Sequence, residues 1–385
     1  MKLTQVVSTS SLLSIAAGLP SQSSHKRVER RFDAKHDLYA NWPSYDALPL
    51  NKSYPTKAAW GVWGAKDEHG ALNHITPKTI EANGRLQAAS STIREGQAFH
   101  LNMRLDGSTP ANPSAEDLNP PANKDRKSLQ HTFLPEEGYS DDIITMNTQI
   151  STQYDGLRHF PYSINSSVET YQWYNDLIPD YEDIIGPSPT DTLGIHIAAE
   201  KGIAVRAVVL DFAGWMDAKN ESFDAFSDRG ITTDELDAVA AWQGMPNDWA
   251  MPGDALLIRT GWNKQYLTLN ETERWLLPVE GWPSVGMDAS EESLRWLWEK
   301  KLSIVGADNP AFEKTPFEWI TDDGIARSLH QVFIGGWGQS ILEHLYLEEL
   351  AEAMHEHGRW AAFMTIQNLN IVGGIASPPN AMAIL

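Results

Sequence analysis

The sequence predicts an α/β fold, one compact domain built around a mixed sheet, and three observations predict it. Continuous apolar runs at 203–212, 254–259 and 302–307 have the length and two-sided hydrophobicity of strands covered on both faces. Helix signals lie between them: Thr232 and Glu235 form a capping box ahead of a run ending at Trp242, and Asp288 with Glu291 opens another that carries Leu294, Leu297 and Trp298. Strand and helix therefore alternate, and no internal repeat or low-complexity linker divides the chain.

Taken in order, the first 20 residues carry Lys2 and then a short apolar run through Leu12, Leu13, Ile15, Ala16 and Ala17. This is the pattern of a secretory signal peptide cleaved near Ala17 or Gly18, and it is too short to span a bilayer. The dibasic pairs Lys26-Arg27 and Arg30-Arg31 follow, so residues 1–31 are expected to be a processed leader and 32–385 the domain. Four N-glycosylation sequons, at Asn51, Asn165, Asn220 and Asn270, agree with a secreted or secretory-route protein. Residues 55–77 read as Trp- and Gly-rich loop, 100–105 as a strand, and 107–128 as a long exposed loop able to act as a lid. Near the end come a helix over 340–357 stopped by Gly358, a strand over 360–366 and a Gly/Pro-rich tail.

Composition narrows the function. The net charge of -21, from 51 Asp and Glu against 30 Lys and Arg, argues against nucleic acid and against anionic membrane surfaces. With no cysteine, disulfides, thiolate nucleophiles and Cys-based zinc sites are excluded. Fifteen Trp suit an aromatic pocket wall, although most are assigned to the core. No GxSxG elbow, HExxH helix, phosphate loop or GxGxxG is present, and GGWG at 335–338 lacks the Lys that a phosphate site needs.

What remains is the stretch 143–160, IITMNTQISTQYDGLRHF, read as a buried strand. Alternation puts Asn147, Gln149, Ser151, Gln153 and Asp155 on one face, and Gly156 lets the chain turn to present His159. Gln149, Gln153, Asp155 and His159 thus form a cluster of oxygen donors followed by an imidazole, with His330 and Glu343 as later contributors. Such a set can hold a divalent cation and activate water. Each member also has a plainer reading: His330 as a histidine at a helix end, Glu343 as a complement to a helix dipole, His159 as a hydrogen-bonded core residue. His344, His355 and His357 are read as solvent-facing on the helix over 340–357.

TQISTQYDGLRHF resembles the fungal branch of the cyclase family, metal-dependent hydrolases that include kynurenine formamidase and isatin hydrolase. The blocks GALNHITP, FHLNMRLD, GIHIAAEKGIAVRAVVLDF, PGDALLIRTGW, VGADNPAFE, HQVFIGGWGQSILEHLYLEEL and VGGIASPPNAMAI extend the resemblance over most of the chain after the leader. It implies a cyclase-family fold of the swivelling β/β/α type. The family's HxxxHxDxxxH motif falls on Gln149, Gln153, Asp155 and His159, so two of its imidazoles are amides here. The resemblance makes Gln149, Gln153, Asp155, His330 and Glu343 the metal ligands and His159, with Asp155, the catalytic pair. An amide oxygen is a harder donor than imidazole, which leans the site toward manganese, magnesium or calcium and away from tightly held zinc; manganese is the expected ion, with magnesium and zinc as the alternatives.

The expected function is hydrolysis of a carbon–nitrogen (amide or formamide) or lactone bond in a small aromatic metabolite. A secondary-metabolite cyclase or dehydratase using the same pocket, and a binding protein that has lost its metal ligands, are the alternatives. The expected partners are a small-molecule substrate and further copies of the chain, as a dimer or tetramer, with no nucleic acid and no membrane after processing.

Overall fold

The apolar runs read above lie side by side. The computed structural model describes residues 39, 41–75, 92–106, 126–127, 129–165, 170–186, 189–277, 283–317, 320–321 and 323–385. The expected leader, 1–31, and most of the expected lid, 107–125 and 128, lie outside the described residues. Two units divide at residue 42, Met1–Trp42 and Pro43–Leu385. In the first, Trp42 N donates to Tyr39 O at 3.1 Å. All that follows concerns the second.

Its main strands are β1 (Ala98–His100), β2 (Gln130–Glu136), β3 (Tyr139–Thr145), β4 (Gln153–Asp155), β5 (Ile203–Leu210), β6 (Ala255–Ile258), β7 (Ile304–Ala307), β8 (Ile341–Glu343), β9 (Ala361–Ile366), β10 (Ala376–Ser377) and β11 (Met382–Ile384). Nine of them form one mixed sheet in the order β1-β11-β9-β5-β6-β7-β8-β4-β10. The four central strands, β5 to β8, run parallel, and antiparallel strands flank them on both sides. This agrees with the hydrophobicity of the runs: β6 and β7 are buried at every position, because both faces of a parallel sheet are covered. One side packs into a core that includes Leu101, Tyr154, Val205, Leu257, Leu342, Met354 and Met364. Each such side chain contributes about 1.5–3 kcal/mol when fully buried.

Helix boundaries follow the capping signals with one exchange. Thr232 accepts from Glu235 N, and Glu235 reaches back to the Thr232 amide, the capping box read from the sequence. The helix Glu291–Lys300 is capped instead by Ser290, whose Oγ accepts from Ser293 N at 3.1 Å, while Asp288 stands 3.7 Å from Lys314. Ser290 is the residue with extended backbone directly before the first turn, which is where a cap must sit.

Two expectations are corrected. Residues 143–160 are not one buried strand. Their first part belongs to β3, which pairs with β2 as a hairpin whose Phe133, Tyr139, Ile143 and Ile144 are 73%, 65%, 53% and 52% exposed. The chain then turns and re-enters the sheet as the short, fully buried β4. The helix expected over 340–357 spans only Glu348–His357, and the residues before it form β8. Leu350, Ala351, Ala353 and Met354 recur at helical spacing, whereas Ile341 and Leu342 are held by strands on both sides.

The turn Gly70–His74 closes against the loop after Trp337: Ala71 N donates to Gly338 O at 2.9 Å. Gly70 has φ +52°, and a Cβ there would lie 2.0 Å from the Gly338 carbonyl oxygen. Replacing Gly70 by Ala is expected to cost about 2–4 kcal/mol through strain and backbone displacement. Thermal unfolding checks this, and an unchanged Tm would contradict the close approach.

Candidate metal centre

The centre is built on the pairing of β4 with β8. In that register Gln153 faces Glu343 and Asp155 faces Ile341. Period-two alternation therefore puts Gln153, Asp155 and Glu343 on one side of the sheet, while Tyr154 and Leu342 enter the core. Gln149 arrives from the turn before β4, where its amide donates to Asn147 Oδ1 at 2.8 Å. Gly156 follows, and a Cβ there would lie 2.5 Å from Ile375 O, so close backbone approach requires the glycine. His330 precedes the wide, π-helical segment Gln331–Trp337. In that segment Gly335 packs against the backbone of Pro161 and Tyr162 and Gly336 against the Tyr162 ring, which explains the glycines of GGWG without a phosphate.

Sequence reasoning missed Glu313. It lies inside the block VGADNPAFE, fully buried, and gathers three donors: Leu329 N at 3.0 Å, His330 N at 2.9 Å and His330 Nδ1 at 2.8 Å. With Nδ1 committed to Glu313, the other ring nitrogen is aimed at 2.8 Å to Glu343 Oε1 and 3.9 Å to Asp155 Oδ2. Burial alone would depress His330, but its bonds to Glu313 and Glu343 outweigh it and raise its affinity for a proton. Burial and the nearby Asp155 charge raise Glu343.

Arg126 was also missed, because its setting reads as exposed loop. Its Nη1 donates to Gln153 Oε1 at 2.8 Å and to Gln149 O at 2.7 Å. Gln153 Nε2 in turn donates to Glu343 Oε2, and Gln149 Nε2 to Asp155 Oδ1 at 2.7 Å. The six side chains singled out in the sequence, Gln149, Gln153, Asp155, His159, His330 and Glu343, are thus linked through one network.

His159 closes it. Gln149 Nε2 lies 3.2 and 3.1 Å from the two ring nitrogens, nearly equidistant, which puts the amide over the ring face and not in line with either nitrogen. Its Nε2 is 3.8 Å from Asp155 Oδ2, and its side chain is 19% exposed. Burial holds His159 below its ordinary value, so the imidazole is neutral near pH 7. Phe160 and Phe317 pack 5.2 and 5.4 Å from His330, and among the described residues this aromatic wall is made by Phe.

The donor set suits a small cation. Asp155, His330 and Glu343 each offer one ligand atom within 4.8 Å of the others, all three residues are buried, and Asp155 Oδ2 has no hydrogen-bond partner among the described residues. The separations from His330 Nε2, 2.8 Å to Glu343 Oε1 and 3.9 Å to Asp155 Oδ2, lie below the roughly 4.4 Å that two donors sharing an ion with bonds of about 2.0–2.2 Å can span.

Fold and site together define an α/β protein with a buried carboxylate–imidazole centre. The model of the Cyclase family matches residues 99–314, more than half of the chain, and the chain belongs to that family. A crystal structure described as a novel cyclase is 28% identical, with a TM-score of 0.66 over 85% of this chain and 99% of its own. Isatin hydrolase A from Labrenzia aggregata, bound to benzyl benzoate, is 16% identical with a TM-score of 0.47, covering 80% of this chain and 98% of its own. Isatin hydrolase A from Ralstonia solanacearum is 18% identical with a TM-score of 0.48, covering 80% and 97%. No curated protein matches the sequence.

The remaining histidines are not all solvent-facing. His355 is exposed, as expected, and paired with Asp211 at 2.9 Å, whereas His344 is fully buried at the end of β8, against Trp262, with neither ring nitrogen hydrogen-bonded among the described residues. Burial pushes His344 down to about 3 from its ordinary 6.5. Below pH 6.5 the unfolded chain takes up a proton that the folded one refuses, so stability is lost as pH falls from 6.5 toward 3. The loss should approach about 1.4 kcal/mol per pH unit at this residue. His344→Asn, which does not titrate and tolerates the local φ of 50°, should flatten the acid limb by that amount when unfolding is measured from pH 4 to 7.

Proposed function

We propose that the protein is a metal-dependent hydrolase that opens a carbon–nitrogen or lactone bond in a small aromatic molecule. One observation carries the reading: three buried ligand atoms from Asp155, His330 and Glu343 converge, one of them a carboxylate oxygen that has no hydrogen-bond partner among the described residues. In this reading Asp155, His330 and Glu343 hold one divalent ion, Mn2+ by preference. When bound, the ion polarises the substrate carbonyl and lowers the pKa of water. Glu313 keeps the His330 ring in register.

His159 has the geometry of the proton carrier. It is neutral, stands beside Asp155 and is partly open to the surface, so it can take the proton of the attacking water and return it to the leaving amine or alkoxide. Phe160 and Phe317 supply the aromatic wall that supports an aromatic substrate. The secretory reading is kept as part of the proposal, supported by exposed asparagines at all four sequons. At Asn270 the side-chain oxygen caps a helix by accepting from Glu273 N, which leaves the amide nitrogen for a glycan. Self-association is kept as well, supported by the exposed apolar side chains of the β2–β3 hairpin.

His159→Asn is expected to lower kcat on a responsive amide or lactone by about 10²–10⁴-fold with the metal content unchanged. His330→Ala should instead lower the metal content itself, read by elemental analysis. Turnover in ¹⁸O-labelled water must place label in the product. Product without label would replace hydrolysis by ring closure.

A further inference from the structure

The polarity of the hydrogen bonds around Arg126 is fixed by chemistry. A guanidinium has donors only, so the Gln153 carboxamide must turn its oxygen toward Arg126 Nη1, at 2.8 Å. Its nitrogen is then left facing Glu343. Gln149 repeats the arrangement, with its nitrogen on Asp155 at 2.7 Å and its backbone oxygen on the same Arg126 Nη1 at 2.7 Å. Both carboxylates of the centre thus receive N–H donors from amides, and the one amide oxygen that could reach an ion beside Glu343 is occupied by a resident cation.

The charge balance points the same way. Asp155, Glu313 and Glu343 are three buried carboxylates. One divalent ion, the Arg126 guanidinium and a neutral His330 would compensate them fully. Without Arg126 the same ion would sit in a centre with a net negative charge, which holds it more strongly.

We propose that Arg126 is a positioning residue that sets how tightly this centre holds its divalent cation. It acts in two ways of the same sign. Its charge opposes the ion across the width of one amide, and its hydrogen bond keeps the Gln153 oxygen away from the ion. The chain therefore carries a weakened, exchangeable metal site. The inference rests on the reading of Asp155, His330 and Glu343 as ion ligands.

The test is Mn2+ binding to the purified full chain, followed by calorimetry and by the loss of the free Mn2+ electron-spin-resonance signal, with no activity assay involved. Arg126→Met removes both effects and should bind Mn2+ at least about tenfold more tightly than the wild type. Arg126→Lys keeps the charge and one donor and should stay within about threefold of it. Arg126→Gln, which keeps a polar side chain in place, should show the gain of the Met variant and serves where that variant does not fold. Equal or weaker binding in Arg126→Met and Arg126→Gln would overturn the proposal, and an equal gain in Arg126→Lys would overturn the part given to charge. Absence of Mn2+ binding in wild type and variants alike would overturn the metal reading of the centre, and this inference with it.

Discussion

Three carboxylates closed off from water have to face positive charge, and the middle of this molecule is arranged to provide it. An uncompensated buried charge costs several kcal/mol, and removing one partner of a buried pair typically costs about 3–5 kcal/mol. His330 is where the constraint is met, held by Glu313 on one ring nitrogen and facing Glu343 and Asp155 with the other. A ring fixed this way must put either a proton or a cation between itself and two carboxylates, because a bare lone pair would face like charge. Glu313 is thus as much a part of the centre as the groups that could touch an ion, although it lies one residue further out.

The sheet shows why the centre sits where it does. Strands β5 to β8 run parallel, and a charged residue lies at or just beyond the carboxyl end of each: Asp211, Arg259, Asp308 and Glu343. At three of these ends the charges are already satisfied. Arg259 bridges Asp211 and Glu348. Asp308 accepts from Thr260 N and Oγ1 at 2.6 Å each and from Gly261 N at 3.1 Å. At the end of β8 the neighbouring Asp155 keeps an oxygen without a hydrogen-bond partner among the described residues. Ligand sites in such sheets gather at the carboxyl ends of the strands, and here the satisfied ends brace the sheet while the unsatisfied one is left for chemistry.

Much of this was legible in the sequence, and the failures have physical causes. The parallel strands announced themselves as unbroken apolar runs, and the Thr232 cap by its spacing. Gln149, Gln153 and Asp155 were grouped by strand alternation, and they do meet. The alternation holds only over Gln153–Asp155, however, and Gln149 reaches Asp155 from a turn that periodicity cannot distinguish from a strand. Glu343 was placed on a helix because Ile341 and Leu342 are apolar beside a true helical repeat, and a three-residue strand is too short to show its own period. Glu313 and Arg126 left no periodic trace at all. Each lies outside regular structure, and each earns its place through partners far away in the chain, which only folding brings near.

The same contacts divide the centre into a firm half and an adjustable half. Asp155 and Glu343 come from strands paired on both sides, and His330 is fixed by Glu313. Arg126 and Gln149 instead flank the β2–β3 hairpin, whose base is closed where Asn147 N meets Lys127 O at 3.3 Å. That hairpin forms its own two-stranded sheet with β3 exposed throughout, and a two-stranded ribbon is marginally stable in water. Local opening free energy follows local burial, so the hairpin end of the network has the lower threshold for rearrangement. Tilting the hairpin would move the guanidinium and the Gln149 amide, whereas Asp155, Glu343 and His330 are held by contacts outside it. The Arg126 charge is therefore the movable part, and the carboxylates and His330 are the fixed part.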